Sequence, residues 1–170
     1  MRARLSGVAS LIVVGMVSIE SGRAQEKTPA RPLEKLAGTE WTGKGVLWFG
    51  GPTHDDPNPF EGTLSVGSSS VTYTWVADGK PQKGTLTLTE RGATWTDSWH
   101  QPKKVELSTV PEAWGLLALH YTYRVGKGPD WGWRIVLAER PTGELVLQMT
   151  NVFPWGEESR AWRLVVKRKG

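Results

Sequence analysis

The sequence predicts an all-β chain: a single antiparallel up-and-down barrel of about ten strands behind an N-terminal export signal. Three observations lead there. Past position 40 the hydrophobic residues recur with period two, which places successive side chains on opposite faces of a strand. The links between candidate strands are short, so sequence neighbours pair antiparallel; parallel pairing would need crossovers of about a dozen residues or more. One face of the resulting sheet is apolar and no helix is available to cover it, so the sheet must close on itself.

The elements follow in order. Arg2 and Arg4 precede an apolar run over residues 8–19, too short for a permanent span, which takes about 20 residues. Gly22 and Ala24 put small residues ahead of Gln25, so residues 1–24 read as a signal peptide. The mature chain is therefore expected to be periplasmic or secreted, with no stable membrane insertion. Residues 25–38, polar and carrying Pro29 and Pro32, read as a linker ending in a short helical turn over 33–36. Residues 39–170 form the barrel domain.

Strands are expected over residues 41–49, 60–66, 71–77, 83–89, 93–99, 104–108, 115–125, 131–139, 144–151 and 158–168, each bounded by Gly, Pro, Asp or Ser. Asp78-Gly79 is a strong two-residue hairpin signal. Glu90-Arg91-Gly92 and Arg140-Pro141-Thr142-Gly143 are nearly as tight. One face collects Val71, Tyr73 and Trp75, then Leu86 and Leu88, Trp95, Asp97 and Trp99, Tyr121 and Tyr123, Trp131 and Trp133, and finally Trp162 and Leu164. The other carries Thr72, Thr74, Thr85, Thr87, His100, His120, Arg134, Gln148 and Arg163. The first face requires burial and the second tolerates water.

Composition excludes several function classes. The chain has 21 basic and 17 acidic residues; without Arg2, Arg4, Arg23 and Glu20 the net charge drops from +4 to +2. Nucleic-acid binders present clustered basic faces. The only cluster here is Lys167-Arg168-Lys169, so no nucleic-acid partner is expected. Cysteine is absent, which rules out a disulfide framework, a thiol nucleophile, a thiolate metal site and a lipid-anchor cysteine. Neither a Gly-x-Ser-x-Gly elbow nor a phosphate-binding glycine loop occurs. Composition sets no oligomeric state.

The ten tryptophans are the informative excess. In a closed barrel Trp75, Trp95, Trp99, Tyr121, Tyr123 and Trp133 converge on the lumen as candidate ligand-binding residues, with Asp97 among them and Asn151 ending a further strand of the same face. A carboxylate there is costly without a partner. A tyrosine hydroxyl, Arg160 near the rim, or a ligand could supply one. Barrels of this size are either filled by side chains or hold one small ligand. His100, Arg134 and Gln148 fall on the opposite face by alternation, unless a bulge near Trp99 turns one inward. Meeting Asp97, His100 would supply acid–base chemistry and Arg134 would steady an anion. The loop over residues 50–59 holds His54, Asp55 and Asp56 with no second cluster to complete a coordination sphere, so no metal is expected. Phe153-Pro154-Trp155-Gly156 reads as another loop at the barrel mouth.

Gly38-Thr39-Glu40-Trp41 resembles the lipocalin and calycin signature. The resemblance implies a tryptophan plugging the closed barrel end against a basic residue of the last strand, here Arg163 ahead of Arg168. The continuation Trp41-Thr42-Gly43-Lys44-Gly45 is similar to the opening strand of nitrobindin-type haem barrels, with Glu40 interrupting their Gly-Thr-Trp form. Those barrels take their haem histidine from near the chain end. No histidine follows His120, so the haem site is not carried over; His100 or His120 would substitute only by facing inward. Thr72-Tyr73-Thr74-Trp75, Thr94-Trp95-Thr96-Asp97-Ser98-Trp99-His100, Trp131-Gly132-Trp133-Arg134 and Met149-Thr150-Asn151-Val152 together resemble a bacterial family of secreted lipocalin-like domains with no established activity.

The function these readings imply is an exported carrier or sensor of a small, largely apolar or aromatic molecule. The alternatives are an enzyme using Asp97 and His100 in the same pocket, and a carbohydrate-binding module whose exposed tryptophans stack on sugar rings.

Overall fold

The computed structural model describes residues 32–49, 56–111 and 115–170. A 3-10 turn, Glu34–Leu36, precedes β1 (Thr39–Phe49), β2 (Asp56–Val66), β3 (Ser70–Ala77), β4 (Lys80–Thr89) and β5 (Gly92–Asp97). The second half is β6 (Gln101–Thr109), β7 (Leu117–Arg124), β8 (Asp130–Glu139), β9 (Leu145–Val152) and β10 (Glu158–Arg168). These close into one barrel in which each strand pairs with its sequence neighbours and β1 pairs with β10, all antiparallel. The expected leader, residues 1–24, lies outside the described residues, as do His54 and Asp55. No helix among the described residues is long and apolar enough to cross a membrane.

Local chemistry accounts for the connections. At Asp78-Gly79 both residues have positive φ, 50° and 71°, and Ala77 pairs with Lys80 across the turn. A primed two-residue turn needs that backbone, whose twist matches the flanking strands. β2 begins four residues earlier than position 60, running through Pro57 and Pro59. There it pairs with β1 alone, since its pairing with β3 spans only Gly62 to Val66. Proline, which lacks a ladder donor, is tolerated at such an edge.

The largest departure from alternation lies after β5. That strand stops at Asp97 and Ser98 to His100 form a turn, although Trp95, Asp97 and Trp99 alternate as one strand would. Asp97 Oδ1 accepts the backbone N–H of Trp99 at 2.9 Å and of His100 at 2.8 Å. Aspartate competes with a sheet ladder in this way by hydrogen-bonding the backbone two and three residues on. β6 consequently starts at Gln101, ahead of position 104.

The barrel end where β1 begins is plugged. Leu33, Leu36 and Trp41 are buried there, and the chain of donors runs from Trp41 Nε1 to Thr39 Oγ1 (2.7 Å) and from Thr39 Oγ1 to the Leu36 carbonyl. The lumen above is filled by side chains. Trp162, turned inward at a bulge in β10, packs against Phe60, Tyr73 and Trp75 with centroid distances of 5.3, 5.2 and 5.9 Å. Aromatic pairs of this kind contribute about 0.5–1.5 kcal/mol each beyond their burial. The wall is weakest between β6 and β7, which are in register only at Ser108 with His120 and Thr109 with Leu119. Past these positions toward the mouth the two strands diverge.

Candidate functional site

The site is built outward from Asp97, whose side chain is fully buried. Tyr73, Gly84 and Asp97 are aligned across β3, β4 and β5. The middle position must be glycine, because a Cβ there would stand 1.9 Å from Tyr73 Cζ and 2.1 Å from its oxygen. Tyr73 therefore lies across β4 and donates from Oη to Asp97 Oδ2 at 2.7 Å, while accepting from Trp95 Nε1 at 2.9 Å. Asp97 Oδ1 faces His100 Nδ1 at 3.1 Å, in addition to its two backbone donors.

These partners decide the charge. Burial pushes the Asp97 carboxyl up, but the hydrogen bond and charge of His100, with the Tyr73 hydroxyl and the His100 backbone, outweigh it and hold the group below the ordinary carboxylate value. Burial first, then the Asp97 charge, lifts the Tyr73 phenol well above its usual range. An ionised Asp97 only accepts, so His100 Nδ1 carries a proton toward it. In the neutral ring Nε2 is then an acceptor, and among the described residues no protein group bonds to it.

His100 stacks on Trp75, centroids 5.5 Å apart, and lies tilted by 44° against Trp133 at 5.3 Å, with 12% of its side chain exposed. It lines a cavity of about 130 Å³ together with Trp95, Tyr121, Tyr123 and Trp133. These rings form an unbroken wall: Tyr123 to Tyr121 is 5.7 Å, Tyr121 to Trp95 6.0 Å, Trp95 to Trp133 5.9 Å and Trp133 to His100 5.3 Å. Burial pushes the Tyr121 phenol up to about 12, with the neighbouring Tyr123 adding to it, and burial also raises Tyr123. Tyr123 donates to Asn151 Oδ1 at 2.8 Å. Tyr121 reaches Gln101 Oε1 across the β6–β7 divergence at 3.4 Å, a long and therefore weak bond.

Several expected placements are corrected. Trp99 and His100 exchange sides, because the turn after Asp97 breaks the alternation: Trp99 is 37% exposed and meets Trp75 only edge-on at 5.9 Å, while His100 faces the cavity. Trp75 belongs to the packed lumen and reaches the site only through His100. Arg134 stays on the outer face, where it bonds Glu158 at 2.7 Å and pairs in register with His120 and Thr150; it does not join Asp97. Arg160 is likewise not the partner of Asp97, and Arg163 is not the partner of Trp41. Their guanidinium groups lie over the outward-facing Trp48 ring, at 4.9 and 5.4 Å. Trp41 pairs in register with Arg168 instead.

Sequence reading placed Tyr73 on the inward face without giving it a role, and it passed over Gly84. The signal available was a glycine on the strand between a tyrosine and a buried aspartate, cross-strand partner to both. Three larger hollows, about 650, 530 and 230 Å³, lie beside the β4–β5 turn, beside the β3–β4 turn and against β2 and β3, lined by residues such as Glu90, Lys44 and Thr74. None contains a buried polar network, so the smaller cavity is the one with chemistry. Among the described residues no group of three or more His, Asp or Glu side chains could hold a metal ion. No family model matches the chain, and no curated protein matches it, so function rests on the site itself.

Proposed function

We propose that the chain is an exported small-ligand-binding barrel, a carrier or sensor whose ligand is a compact, largely apolar or aromatic molecule about one ring in size. The observation that carries this reading is the continuous aromatic wall around a cavity of about 130 Å³. An apolar cavity of about 150 Å³ is enough to take up benzene. The same volume, above a lumen filled by Trp75 and Trp162, supports a one-ring ligand over a haem macrocycle, although His100 faces inward.

Toluene titrated into the protein and followed through the indole N–H signals of Trp95 and Trp133 tests the pocket. The reading expects saturable shifts with a Kd in roughly the millimolar range or tighter. Absence of any shift at saturating toluene overturns it.

The Asp97–His100 pair favours one second reading, an enzyme in which His100 acts as general base, since a base oriented by a buried carboxylate is a recurring catalytic arrangement. Asp97→Asn separates the two: a carrier keeps most of its affinity, whereas a catalyst loses turnover. The sugar-platform reading is weaker, because Trp95 and Trp133 are buried and the rim indoles Trp131 and Trp155 cross at 65° instead of lying coplanar.

A further inference from the structure

We infer that the pocket selects a single aromatic ring bearing a hydroxyl, a phenol, and that His100 Nε2 is the atom that selects it; this rests on the pocket reading above. Among the described residues, two groups on the rings of the cavity wall have no protein partner. One is His100 Nε2, since Nδ1 is committed to Asp97. The other is the indole N–H of Trp133, which is buried without an acceptor on a side chain only 7% exposed. The two rings are adjacent, with centroids 5.3 Å apart. The indole N–H is sealed within the packing, whereas His100 itself is partly exposed and lines the cavity. A ligand hydroxyl in the cavity donates its hydrogen to Nε2.

The rest of the wall defines what carries the hydroxyl. Trp95, Tyr121, Tyr123 and Trp133 offer ring faces, and no Lys, Arg, Asp or Glu lines the cavity. A carboxylate or phosphate would find there only His100, which is already paired with the Asp97 carboxylate, so an anionic ligand is disfavoured. A quaternary ammonium would suit the ring faces, but it has no hydrogen to donate to Nε2. Asp97 is positioned behind His100 to keep the proton on Nδ1, which holds Nε2 as an acceptor whenever the ring is neutral. Asp97 is thus a positioning residue, and His100 is the one that touches ligand.

The test uses isothermal titration of the purified protein at neutral pH with phenol, anisole, toluene and tetramethylammonium, repeated on His100→Asn. Asparagine retains an amide donor toward Asp97 but has no atom at the Nε2 position. The expected result is phenol bound about tenfold more tightly than anisole or toluene, one net hydrogen bond's worth, with the preference abolished in His100→Asn. Equal affinity for phenol and toluene in the unsubstituted protein overturns the inference and leaves the pocket reading standing. Tighter binding of tetramethylammonium than of phenol overturns it in favour of a cation, and a phenol preference that survives His100→Asn overturns the role of Nε2. If none of the four binds, the pocket reading itself fails.

Discussion

Replacing Tyr73 by Phe removes one oxygen from the centre of the barrel and should cost far more than its size suggests. That oxygen donates to Asp97 at 2.7 Å and accepts from Trp95 at 2.9 Å, and Tyr73 and Asp97 are both fully buried. A hydrogen bond to a charged group contributes about 1.5–3 kcal/mol, and an indole N–H left unsatisfied costs about 1–3 kcal/mol. The two terms share one network and do not simply add. The expected net loss is about 3 kcal/mol, a sizeable part of the roughly 5–15 kcal/mol by which domains are stable. At about 2–4 °C per kcal/mol for a chain of this length, Tm should fall by roughly 10 °C. Urea unfolding followed by tryptophan fluorescence is the assay, with an unchanged m-value showing that only stability moved. Tyr123→Phe is the internal control. Its part-buried hydroxyl has, among the described residues, the one partner Asn151, and its loss should cost about 0.5–1.5 kcal/mol. A Tyr73→Phe loss below about 1 kcal/mol, or no larger than that of Tyr123→Phe, refutes the buried network as a source of stability.

The chain's three tyrosines are all displaced upward, so absorbance at the tyrosinate band should stay flat as pH passes about 10 and rise only when base unfolds the protein; a stepwise titration centred near 10 would contradict the burial of these phenols. Asp97 is displaced downward, so its contribution is complete above its unfolded value of about 3.9 and is lost as pH falls through the lower folded value. Between about pH 5 and pH 2.5 the urea midpoint of the unsubstituted protein should therefore fall more steeply than that of Asp97→Asn, and parallel curves would show that Asp97 is not preferentially ionised in the fold. Gly84→Ala forces a methyl into the Tyr73 ring and should destabilise by roughly 1–3 kcal/mol. In Gly84→Ala/Tyr73→Ala the ring is gone, so the alanine at 84 should then be nearly neutral; an additive double variant would disprove that clash.

By itself the sequence determined the architecture. The period-two pattern needs only local geometry: a strand side chain faces in or out by parity, so Leu86, Trp95, Leu119, Ile135, Leu147 and Leu164 were assignable to the core from their spacing. Turn residues such as Asp78-Gly79 act within two positions, and tight turns leave antiparallel neighbours as the only option. The aromatic lining at Trp95, Tyr121, Tyr123 and Trp133 followed from the same parity.

What only the tertiary structure decided is everything that depends on which groups meet across strands. Asp97 breaks its own strand because its oxygen captures two backbone donors, and that event, invisible to a parity rule, turns His100 inward and Trp99 outward. Tyr73 reaches Asp97 only because register sets Gly84 between them, and register across three strands is a property of the closed sheet. Arg160 could be assigned to the rim by sequence, but a bulge in β10 sends it to the outer wall, where it lies with Arg163 over Trp48. Parity is local and so is written in the chain; the cavity exists only where five rings from three strands and a turn stop short of filling the space between them.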